Sequence, residues 1–154
     1  MEKIKSLLLP LALIFSAIAV FEFGARYGAT NMQAYAIAGE LQFPLNIYAQ
    51  NEADMDNRSK EYFAMMIDKG IAAGAVHRQI WHLNRDAKAA LDSLLIYALK
   101  VRGDAVIERF ASMEASEDIP ALNQAKLAEI HEALAEARVD LVENAPKVAE
   151  QETE

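Results

Sequence analysis

Residues 7–27 read LLLPLALIFSAIAVFEFGARY, and this stretch decides how the rest of the chain is arranged. From Leu7 to Phe21 only Pro10 and Ser16 interrupt an apolar run, and extension to Ala25 makes nineteen residues at the cost of Glu22. At about 1.5 Å per residue, nineteen residues span roughly 28 Å, close to the hydrocarbon thickness of a bilayer. Lys3 and Lys5 precede the run, and beyond it Arg26 stands alone until Arg58. The positive-inside rule then keeps the short N-terminus in the cytoplasm and exports everything after Tyr27.

Glu22 lies at the far end of the run, four residues before Arg26, which is the favourable order for an ion pair on a helix surface. Glu22, Arg26 and Tyr27 are therefore read as the membrane interface, with Phe21 and Phe23 completing an aromatic collar. Gly24 and Gly28 have the small-xxx-small spacing that lets membrane helices approach closely. A rival reading exists. Lys3 and Lys5, an apolar core and then Ala17-Ile18-Ala19 also resemble a signal peptide cut after Ala19, which would release a soluble protein. The apolar run continues past that point through Val20, Phe21 and Phe23, which favours a retained anchor.

The sequence thus divides into a stub and signal-anchor (1–28), an exported domain (29–145) and an acidic tail (146–154) too polar to order itself. The net charge of −8 is uneven: residues 27–110 sum to −1 and residues 111–154 to −8. That balance excludes nucleic acid as a partner, because phosphate binding needs clustered Lys and Arg. There is no cysteine, and hence no disulfide framework, thiolate metal site or cysteine nucleophile. An exported domain without disulfides suits a bacterial periplasm, so the expected location is a bacterial inner membrane with the C-terminal domain outside.

Ala, Leu, Glu, Lys and Met dominate and no stretch alternates with period two, so the fold class is all-α: one transmembrane helix followed by a compact bundle of about four to five helices. Thr30 and Gln33 fit a capping box opening a short helix that Pro44 ends, unless that helix continues the anchor through Gly28. Residues 45–55 form a connector whose Leu45, Ile47 and Tyr48 pack on the domain. Asp56 or Asn57 caps a helix from 58 to about 83, with Phe63, Met66, Ile67, Gly70, Ala73, Gly74, His77, Ile80 and Trp81 on its buried stripe. Asp86 caps the next helix, 87 to about 101, before Arg102-Gly103-Asp104 stops one helix and starts a short one, 105 to about 115. Asp118-Ile119-Pro120 opens the last helix, where Leu127, Ile130, Leu134, Ala137 and Leu141 make a seam at steps of three and four.

Glycine inside a helix costs about 1 kcal/mol relative to alanine, so Gly70 and Gly74 call for a close helix crossing or for space kept for a bulky group, and the crossing is favoured because small residues on a helix usually serve packing. Together with Gly24 and Gly28 of the anchor and with Ala73, His77 and Trp81, these two glycines form the candidate interaction surface, and the acidic last helix offers a second. Chemistry is harder to find. His77 and His82 are about 140° apart on a helix and cannot share a metal, and HExxH and Glu-x-x-His are absent. His131 sits among acids and is expected to be exposed. Residues 54–58 match only the opening of a calcium loop, with Arg58 at the fifth position and no glycine at the sixth. Phosphate loops and the G-x-S-x-G elbow are missing. No cofactor, metal or enzymatic activity is expected. The chain reads as a single-pass accessory or scaffolding subunit that meets a protein partner, or a second copy of itself, on the exported side. The alternative is an exported helical module for a small apolar ligand or peptide, soluble if cleaved near Ala19.

Overall fold

The computed structural model describes residues 2–115 and 120–143, and the side chains of these from Pro10 onward except 121 and 122. They form five α-helices and no strand: α1 (Glu2–Asn51), α2 (Asn57–Arg78), α3 (Arg85–Arg102), α4 (Ala105–Glu114) and α5 (Ala121–Arg138), the last running into a π-helical turn over Val139–Glu143. The all-α class with one long apolar N-terminal helix is thus observed. The tail at 146–154, the expected helix end at Ala145-Pro146 and the opening at Asp118-Ile119 lie outside the described residues.

The main departure is α1. Fifty residues make one helix about 75 Å long. Its Pro10–Asn51 portion is, among the described residues, the one segment long and apolar enough to cross a membrane. Residues 10–27 are exposed all round, whereas Asn31, Ala34, Leu41, Pro44, Leu45 and Tyr48 are buried at helical spacing against the bundle. The capping box at Thr30 does not form, because the Thr30 hydroxyl donates to the Arg26 carbonyl 2.8 Å away within a continuing helix. Pro44 does not end the helix either. A proline in a helix interior costs about 3 kcal/mol. Fully burying Leu41 and Leu45 on either side of it returns about 1.5–3 kcal/mol each, so packing overrides the local breaker.

α2 runs back antiparallel to α1, starting where Asp56 caps it: its carboxylate accepts the Ser59 N–H (2.8 Å) and hydroxyl (2.9 Å). Those bonds, the backbone one foremost, hold the Asp56 carboxyl below the usual aspartate value. A lowered folded-state value stabilises the fold above the ordinary aspartate range of about 3.9 and is lost as pH falls through it. The melting-temperature gap between native protein and Asp56→Ala is therefore expected to be open at neutral pH and to close in acid.

α2 ends at Arg78, not near 83, so Trp81 lies in a loop and is 83% exposed instead of buried on a helix stripe. α3 returns antiparallel to α2, capped by Asn84 and not Asp86: the Asn84 side chain accepts the Ala87 N–H at 2.7 Å. α4 and α5 make an antiparallel hairpin against α2, with His131 beside Glu114 (2.9 Å) and Arg138 beside Asp104. His131 is accordingly half-buried and paired, and Asp104 makes no side-chain cap. In α5 and the turn after it, Leu134, Ala137 and Leu141 are buried and Leu127 and Ile130 pack partly against the same core, as their spacing implies.

Gly70 and Gly74 explain the crossings. A Cβ on Gly70 would lie 2.8 Å from Leu41 Cδ1 of α1, and one on Gly74 would lie 2.9 Å from Leu95 Cδ2 of α3. One helix thus uses two small residues a turn apart to seat two neighbours. Valine at 74 adds carbons that Leu91 and Leu95 cannot clear together, so Gly74→Val is expected to lower unfolding free energy by about 2 kcal/mol. A Cβ on Gly28 would meet no neighbouring helix within 4 Å, so Gly28→Ala is expected not to lower it. Urea titrations of the two variants in detergent check the contrast.

Candidate functional site

Two features stand out: the juncture where the bundle grips α1 just beyond its exposed apolar half, and an open groove beside it. At the juncture Asn31 is buried. Its Oδ1 accepts the Asn84 N–H at 2.7 Å, and its Nδ2 donates to the Tyr27 carbonyl at 2.7 Å. His77 Nε2 lies 2.8 Å from the Thr30 carbonyl oxygen; that oxygen can only accept, so Nε2 carries the proton. His82 Nε2 reaches the Thr30 hydroxyl at 3.3 Å, and its ring lies 6.4 Å from that of Tyr27 and 5.0 Å from that of Trp81. His82 Nδ1 is buried without a hydrogen-bond partner. The loop between α2 and α3 is thereby tied to residues 27–31 of α1.

The groove has a volume of about 750 Å³ and lies among α1, α2, α4 and α5. Its apolar walls come from Ile37, Ala72, Ala73, Val76, Ile80, Phe110 and Ile130, and Gln33, Lys69, Lys126 and Glu129 contribute polar groups. Ala73 is exposed in it. Such a lining suits an apolar side chain or helix held by a few polar contacts.

The far end of the bundle holds a charge network that sequence spacing did not reveal. Asp68, 1% exposed, accepts hydrogen bonds from Arg102 Nε (2.7 Å) and Nη2 (3.1 Å) and forms an ion pair with Arg109, whose Nε lies 2.9 Å from Oδ2. Arg109 also reaches Glu61 at 2.8 Å. The Asp68 hydrogen bonds raise the Arg102 pKa above its ordinary value against the effect of burial. Tyr48 donates to Glu52 (2.8 Å), and burial, with that bond, pushes its hydroxyl up. At the juncture end, Arg78, bonded to Asp92 (3.0 Å) and Asp140 (3.2 Å), ties α2 to α3 and to the π-helical turn. Burial alone would lower its pKa, but the two carboxylates raise it. The ion pairs lock α2 to α3, to α4 and to the turn after α5.

Of the residues singled out in the sequence, Glu22 and Arg26 form the expected exposed ion pair at 3.3 Å. Gly24 and Gly28 lie open on α1, where an added Cβ would meet no neighbouring helix within 4 Å. Gly70 and Gly74 face inward and present nothing to a partner, whereas Ala73 lies in the groove, His77 at the juncture and Trp81 in the loop. Among the described residues no three His, Asp or Glu side chains converge as a metal site. No protein-family model, curated protein or solved structure matches the chain.

Proposed function

We propose that this chain is a single-pass membrane protein whose exported bundle acts by protein–protein contact, as an accessory or scaffolding subunit of an envelope assembly. The observation that carries it is the continuity of α1. One helix is bare from residue 10 to residue 27 and forms part of the bundle core from Asn31 to Tyr48. A bundle built onto the anchor stands at a set distance from the membrane, which suits positioning a partner better than diffusing to a substrate. The contact surfaces are the groove around Ala73 and the outer face of α1, where Met32, Tyr35 and Phe43 are exposed. The open Gly24–Gly28 face accommodates a second membrane helix, from a partner or another copy.

The test is site-specific photo-crosslinking in native membranes, with the cross-linker at Ala73, at Ile130 and, as a control, at Ser93 on α3. A discrete protein adduct from the first two positions and not the third supports the reading. Absence of any adduct in the groove sinks it. The groove also favours the second reading, an apolar-ligand module. That reading requires a small molecule to co-purify, which native mass spectrometry of the detergent-solubilised protein would detect.

A further inference from the structure

The loop at residues 79–84 is held at one level of the molecule by contacts far apart in sequence. Asn84 and His77 bond to Asn31 and Thr30, and the His82 ring lies tilted beside that of Tyr27, with centroids 6.4 Å apart. Tyr27 closes the apolar stretch that begins at Leu7, roughly 30 Å of helix and one hydrocarbon thickness. The loop therefore sits at the height where the span would leave the bilayer on the exported side.

At its tip is Trp81, the chain's single tryptophan and the most exposed large apolar side chain among the described residues, at 83%. A bulky indole left in water forfeits apolar burial, whereas the headgroup layer takes its ring and still hydrates its N–H. Phe23 and Tyr27, both exposed on α1, stand at that same layer, and exposed Arg85 opens α3 beside the loop.

We propose that the Trp81 loop rests in the headgroup layer of the bilayer as a second membrane contact beside α1. This rests on the reading of α1 as a span. A lone helix leaves its domain free to rotate about the helix axis and to tilt. A second contact removes that freedom and fixes which way the groove faces.

The single tryptophan makes the test direct. The full chain is reconstituted in phosphatidylcholine vesicles, with and without lipid brominated near the carbonyl end of one acyl chain. A second protein, Phe21→Trp in a Trp81→Phe background, reports on the span. The expected result is a blue-shifted emission from the native protein that is quenched by brominated lipid to an extent comparable with the position-21 reporter. Quenching at position 21 without quenching of the native protein overturns the loop proposal and leaves the span standing. Quenching of neither protein overturns both.

Discussion

Replacing Asp68 with asparagine is expected to lower the unfolding free energy of the bundle by about 3 kcal/mol, near the low end for breaking a buried ion pair. Asparagine keeps the shape and removes the charge. The guanidinium groups of Arg102 and Arg109 then face each other across a site that is 1% exposed at position 68. Neither arginine can escape by losing its proton, and Arg102 in particular is held above its ordinary value. The cost sits at the low end because Arg109 keeps 27% of its side chain in solvent. Glu61→Gln removes an outer partner that is 70% exposed, and should cost less than about 1 kcal/mol. Chemical denaturation of the two variants, followed by circular dichroism, separates these outcomes.

Ile14→Arg combined with Ile18→Arg is expected to move the protein from the membrane pellet to the soluble fraction. Each arginine near the centre of a span costs about 2.5–3.5 kcal/mol for insertion. Both isoleucines are more than half exposed, at 57% and 54%, and neither belongs to the bundle core. The melting temperature of the bundle should therefore be unchanged. Carbonate extraction reads the first effect and thermal denaturation the second. Retention of the doubly charged protein in the carbonate-resistant pellet would argue against residues 7–27 as the anchor.

Local signals carried some of this architecture and misled elsewhere. The crossing at Gly70 and Gly74 was legible because two glycines inside a helix need a steric reason, and Leu41 and Leu95 supply it. The cap at Asp56 and the seam at Leu134, Ala137 and Leu141 were equally local. Thr30 and Pro44 misled, since a cap and a breaker are weak preferences. Asn31, Leu41, Leu45 and Tyr48 bury enough surface to hold one helix through both. Trp81 fits the period set by His77 (positions i and i+4), but α2 stops at Arg78 and the chain turns to the Asn84 cap. The salt-bridge network is not legible locally, because Asp68 and Arg102 are 34 residues apart and only the antiparallel return of α3 brings them together. The signal available was a lone aspartate between Ile67 and Ile71 on an apolar face.

One unbroken helix carries the proposed membrane span and part of the bundle core. The chain has no cysteine, so single cysteines can be placed along residues 18–36 without background. The decisive measurement is their spin-label accessibility to oxygen and to a water-soluble relaxant in reconstituted vesicles. A helical period is expected to run unbroken through Gly28 and Thr30. Up to residue 25 every label should favour oxygen. Beyond Tyr27, labels at Asn31 and Ala34 should be shielded from both relaxants, while labels at Met32 and Ala36 should favour water. A loss of the period at residues 28–31, or water access at every position from 18 onward, would contradict this arrangement.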